Sequence, residues 1–205
     1  MNWTADELAA RETDVLGHAI RIAPLAQEDL GEEVRELVRR IGATLGLEAP
    51  DQLTTYFAVL ARHPDLFRLQ LETGIFFFSG SRIPPREREL AVLRTAWLAA
   101  APYEWGQHVL IAHQLGLTEA DTDRVRAGPD AEGWNPQDAT ILQAVDELFH
   151  HRMICDATWA ALAGFWDEAQ LIELPCLVGQ YLGVAMLQNT LRMPLAREAR
   201  GFAER

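Results

Sequence analysis

The chain has 205 residues, enough for one domain with a substantial core and too few for two large ones, so a single domain over 1–205 is the expectation. A net charge of −12 at pH 7 disfavours nucleic acid and anionic membranes, and no basic patch stands out to reverse it. All 18 basic residues are arginine, which excludes lysine Schiff-base chemistry but leaves bidentate binding of carboxylates open.

Residues 1–27 read as a loosely attached lead-in. The opening MNWTADELAARETD is acidic and has no apolar signal core, and no uninterrupted apolar run approaches the roughly twenty residues needed to span a bilayer. The expectation is a cytoplasmic protein. From 28 to 47, Leu30, Val34, Leu37, Ile41 and Leu45 share one face of an amphipathic helix. Helices over 51–62 and 65–78 follow, separated by His63-Pro64, where His63 reads as a cap or surface residue. Phe76, Phe77 and Phe78 cannot all face one way on a helix, so two are assigned to the core and one to a second surface.

The stretch 84–117 organises the chain. It reads as two helices joined at Ala101-Pro102. In the first, Glu89 is in register with Leu93, Ala96, Trp97 and Ala100; in the second, Glu104 and His108 are one turn apart and continue into Ile111 and Leu115. A carboxylate and an imidazole at that spacing can share a proton or a substrate. Pro102 suits a first helical position, which puts Glu104 in the first turn, where the macrodipole favours its charge and burial opposes it. Two readings stand level here: a satisfied structural pair, or an acid–base site to which Glu89 adds a second inward carboxylate.

Beyond Gly116, Thr118 caps a short helix to about residue 126, and a loop over 128–137 leads to a helix over 138–152 with Ile141, Leu142, Val145 and Leu148 inward. A helix over 156–167 is expected to turn Trp159, Leu162 and Trp166 inward. The last helix, 168–191, carries Gly179-x-x-x-Gly183, which predicts close packing of helices, and four polar exceptions, Gln180, Tyr181, Gln188 and Asn189, as possible contributors to the same site. The tail, 192–205, is charged and expected to fray. Cys176 reads as a small core residue; Cys155 precedes a helix cap, and neither belongs to a C-x-x-C or metal-ligand pattern. Glu89, Glu104 and His108 offer a metal three donors, but His113 falls on another helix face, so no metal and no cofactor are assigned. No strand alternation or phosphate loop is present, and the fold is read as all-α.

The run from Glu89 through Tyr103-Glu104-Trp105, His108 and Ala112 to Gly116-Leu117 resembles the core motif of the carboxymuconolactone decarboxylase family, relatives of alkyl hydroperoxidase D. In the peroxidase branch a Glu is followed after eleven residues by Cys-x-x-Cys and, three residues on, by a His. Here the Glu falls on Glu89 and the His on His108, while the thiol positions hold Ala101 and Glu104. The YEW-x-x-H form is similar to the decarboxylase branch. The resemblance implies a helical bundle of about eight to nine helices and a homo-oligomer of two, three or six subunits. It also implies cofactor-free acid–base work by Glu89, Glu104 and His108 on a small carboxylated or lactone-like substrate, with Tyr103 and Trp105 lining the site. Arg94 or Arg82 is the nearest arginine in sequence for a substrate carboxylate. A non-catalytic scaffold and, more weakly, a peroxidase-related activity through Cys155 or Cys176 remain the alternatives.

Overall fold

The computed structural model describes residues 3–44, 53–196 and 199–203, with residues 41–44 described in backbone only. Among these there are ten α-helices and no strand: α1 (Ala5–Leu16), α2 (Glu32–Thr44), α3 (Thr55–Leu60), α4 (Pro64–Ile75), α5 (Pro85–Leu98), α6 (Pro102–Gln114), α7 (Glu119–Ala127), α8 (Pro136–His151), α9 (Asp156–Ala163) and α10 (Glu168–Leu191). The chain divides into two compact units, residues 20–81 on the one hand and residues 1–19 with 82–205 on the other.

In the smaller unit, α2 begins at Glu32 rather than 28, since Gln27–Asp29 forms a separate 3-10 turn. Val34 and Leu37 are buried as the apolar stripe requires, and the side chains of Ile41 and Leu45 lie outside the described residues. The segment before α2 is pinned by Leu25 N, which donates to Ala58 O, and by Arg62 Nε, which donates to Ala23 O at 2.7 Å. Thr54 caps α3, and the expected start at Asp51 also lies outside the described residues. His63 caps α4, its Nδ1 accepting from Leu66 N. Phe76–Gly80 then widens into a π-helical turn that buries Phe77 and leaves Phe76 and Phe78 about half exposed, so one phenylalanine serves the core where two were expected.

The larger unit is built around α5. Leu90, Ala91, Val92 and Leu93 are consecutive and all fully buried, because α6, α7, α8 and α10 surround the helix. A helix enclosed on every side needs no polar face, and its sequence shows none. Below it Trp97 packs on Trp105 and Phe202, with ring centroids 5.0 and 5.7 Å apart, and the Arg126 guanidinium lies over both indoles.

Both ends of the chain correct their expected description. The lead-in contains α1, closed by a reciprocal Thr4–Glu7 capping box. Trp3 Nε1 donates to Leu98 O, and Glu12 accepts from Phe202 N at 2.8 Å. The tail is anchored as well: Met193 and Phe202 are buried. Gly106 of α6 marks where the tail lands, since a Cβ there would stand 3.1 Å from Ala199 Cβ and Gly201 N. The net charge of these segments hides a few apolar anchors.

Three assignments near the C-terminus also change. Helix α9 stops at Ala163, and Trp159 points outward while Leu162 and Trp166 are buried. Cys176 is exposed, and Gly179 and Gly183 have open space where a Cβ would be, so no helix is packed closely against them. By length and a mean hydropathy of 1.3, α10 could cross a membrane, but it carries buried Glu173 and Gln188, both paired to neighbouring helices or their flanks.

Candidate functional site

The turn between α5 and α6 sets the site. Ala100, fully buried, holds a left-handed backbone at φ 44, a conformation that costs a non-glycine residue about 1–2 kcal/mol. From α10, Asn189 Nδ2 donates to Ala99 O and Ala100 O, bracing that turn. Pro102 then starts α6 and places Glu104 in its first turn, with His108 one turn on.

Glu89, Glu104 and His108 converge, all buried. His108 Nδ1 lies 2.6 Å from Glu89 Oε2, and its Nε2 lies 3.2 Å from Glu104 Oε1. The chain extends at both ends: Arg88 Nε and Nη2 reach Glu89 Oε1 at 3.1 and 3.0 Å, and Gln188 Nε2 donates to Glu104 Oε2 at 2.5 Å. The Tyr181 ring meets the imidazole edge-to-face at 5.0 Å. Arg88 and a protonated His108 set two positive charges beside the two acidic side chains.

Burial by itself would lower the pKa of His108. The negative charge of Glu89 and the hydrogen bonds to both carboxylates outweigh it, and the pKa rises from 6.5 to about 10. For Glu89, burial raises the pKa, but the charges and hydrogen bonds of His108 and Arg88 win and hold it below its ordinary 4.5. His108 is thus an imidazolium at neutral pH, with both ring N–H groups donating. Such a chain can pass a proton from one end to the other by small shifts along existing hydrogen bonds. Both ring nitrogens are engaged by carboxylates, and among the described residues no cluster of His, Cys, Asp and Glu has the geometry of a metal site.

The remaining assigned residues fare differently. Tyr103 is buried in the first turn of α6. Trp105, assigned to the site wall, belongs to the core beside Trp97, because one residue along a helix turns the side chain about 100° from Glu104. Arg94 is not available to a substrate. Its Nε and Nη2 form a bidentate pair with Asp146 at 2.6 and 2.7 Å, and Nη1 donates to the carbonyls of Val125 and Arg126. It lines a separate cleft of about 320 Å³, and Gly128, at φ 107, comes so close that a Cβ would sit 3.0 Å from Nη2. Arg82 is exposed, and its backbone N–H donates to Glu173.

Arg88 escaped sequence reasoning because an adjacent Arg-Glu pair on a helix ordinarily diverges. Gln188, Tyr181 and Asn189 were visible as polar interruptions of an apolar helix, and three of the four so marked reach the site or its turn.

A family model for the carboxymuconolactone decarboxylase family matches residues 64–147. No curated protein matches the chain. Among solved structures, an alkylhydroperoxidase AhpD core protein from Ralstonia eutropha, described as peroxidase-related, superposes with a TM-score of 0.72 at 17% identity, covering 88% of this chain and 95% of that one. A peroxidase-related protein from a Silicibacter species gives 0.70 at 13% identity, covering 89% and 96%. The debrominase Bmp8 in complex with 2,3,4-tribromopyrrole gives 0.68 at 14% identity, covering 88% and 94%. At such identities the likeness is one of fold. Residues 64–147, which contain both motif helices, match the carboxymuconolactone decarboxylase family, and the chain has the alkyl hydroperoxidase D-like fold.

Proposed function

We propose that the protein is an acid–base enzyme that works without a thiol or prosthetic group on a small carboxylated or lactone-like substrate, by decarboxylation or isomerisation. The observation that carries this reading is the buried Glu89–His108–Glu104 chain with a cation at its centre. When carbon dioxide leaves an unsaturated carboxylated lactone, the electron pair stays behind as a dienolate, and a carbon of that dienolate must take a proton. Here the Nε2 proton of His108 would pass to Glu104 and from Glu104 to carbon. The imidazole is left neutral, with its Nδ1–H still bonded to Glu89, and regains a proton from solvent. In the isomerisation sense the Glu104 carboxylate first removes a proton next to a carbonyl and returns it elsewhere.

The test is turnover of carboxylated lactones in deuterated water, followed by deuterium at the product carbon. Glu104→Gln and His108→Gln should each lower the rate by about 100-fold or more, the range of a lost general acid or base. Turnover at the wild-type rate in both variants would remove the chain from the mechanism.

A scaffold reading has one observation in its favour: Glu89, His108 and Glu104 find their partners within the protein and need no ligand to be stable. The redox reading draws on relatives named as peroxidase-related and as a debrominase. Against it, Ala101 and Glu104 stand at the thiol positions of the motif. Cys155 Sγ is engaged by Glu147 and Thr158, and Cys176 lies on the exposed side of α10. Peroxide consumption by the doubly substituted Cys155→Ala, Cys176→Ala protein separates that reading from the others.

A further inference from the structure

One polar atom beside the relay is left unmatched. Gln188, 2% exposed on α10, donates through Nε2 to Glu104 Oε2, while its own Oε1 has no hydrogen-bond partner among the described residues. Buried amides normally satisfy both ends, so a half-satisfied one has kept a contact that outweighs the other. That contact holds Oε2 of Glu104 and fixes Oε1 as the oxygen turned toward His108. An apolar residue at this position would complete the surrounding run of Ala185, Met186 and Leu187 without leaving any acceptor stranded.

Resting on the acid–base reading above, we propose that Gln188 is a positioning residue of the relay: its amide N–H holds one oxygen of Glu104 and thereby aims the other at His108 Nε2. The next residue, Asn189, holds the strained turn in front of α6, so α10 fixes both the start of the motif helix and the orientation of its first acid. The groups facing His108 come from three helices: Glu89, backed by Arg88, from α5; Glu104 from α6; and the ring of Tyr181 from α10. The tail meets α6 at Gly106 through the Ala199 methyl and the Gly201 backbone. Gln188 adds to these a neutral donor that fixes the orientation of Glu104 without titrating itself.

The experiment uses the full-length protein with nitrogen-labelled histidine, His108 being assigned by its disappearance in His108→Gln. Ring-nitrogen chemical shifts are followed against pH in the wild type and in Gln188→Met, which keeps the side-chain volume and removes the amide. The His108 midpoint should fall by about one pH unit or more in Gln188→Met, because Glu104 is no longer held against Nε2 and the hydrogen bond that helps to raise the His108 pKa is lost. An unchanged midpoint in the folded variant overturns the proposal and leaves Gln188 as a space-filling residue. Should Gln188→Met fail to fold, the wild type decides: the side-chain amide proton shifts of Gln188 should move with the His108 midpoint, and shifts that stay constant through it overturn the proposal. Absence of turnover on any lactone would sink the catalytic reading without moving these midpoints, so the two fail separately.

Discussion

Two buried ionic clusters hang from α5, five residues apart, and they are different kinds of object. At Arg94, a side chain that never loses its charge is fully committed to a bidentate carboxylate and two carbonyls. At Glu89, the carboxylate meets a histidine whose charge depends on pH and on what its neighbours hold. Both are buried, and both sit among apolar residues. Burial of charge therefore does not mark a reactive site; a buried group whose proton can move does.

The largest effect is expected at Asp146→Ala. It leaves Arg94 buried without a counter-ion and should cost about 3–5 kcal/mol in urea unfolding, the range for removing one partner of a buried pair. A loss below about 1 kcal/mol would mean that Arg94 is not the strut described. Phe202→Ala should cost about 3 kcal/mol, since it empties the space against Trp97 on which the motif helices rest, and it should do so equally at all pH values.

His108→Gln should cost less near pH 7, about 1–2 kcal/mol, because the carboxylates it leaves behind can take up a proton where Arg94 cannot shed one. Its distinctive sign is in the pH dependence. With a folded pKa raised to about 10 from 6.5, His108 contributes stability that is complete below pH 6.5 and is lost as pH rises from there through about 10. Glu89, depressed below 4.5, contributes stability present above that value and lost on acidification. Denaturation of wild type minus variant across pH should show the alkaline decline; a flat difference contradicts it. A loss of several kcal/mol at pH 7 would favour the scaffold reading. The smallest effect is expected at Thr4→Ala, about 1 kcal/mol, the value of a helix cap far from either cluster.

The sequence made Glu89, Glu104 and His108 legible because each stands at helical spacing with apolar residues, so the three were forced inward together. It did not separate Arg94 from them. A helix covered on all sides has no polar face to serve as a reference, and an arginine in it reads equally as a ligand for substrate or as a strut. Trp105 was misplaced because adjacency in the motif suggested a shared wall, whereas a helix sends neighbours to different faces. The tail was misread for another reason: composition registers its charges, while its attachment depends on Phe202 and Met193 meeting surfaces far away in sequence. Of the four α10 polar residues, Tyr181, Gln188 and Asn189 meet the cluster or its turn, since a polar side chain in an otherwise apolar helix has to find a partner.

The cluster stores its proton on one buried ring, and ring-nitrogen chemical shifts of His108 in the wild-type protein read that charge directly. At about pH 8 both nitrogens should be protonated, with loss of one proton only toward pH 10. A ring that is already neutral at pH 8, carrying a single N–H, would contradict the proton-storing cluster and everything built on it.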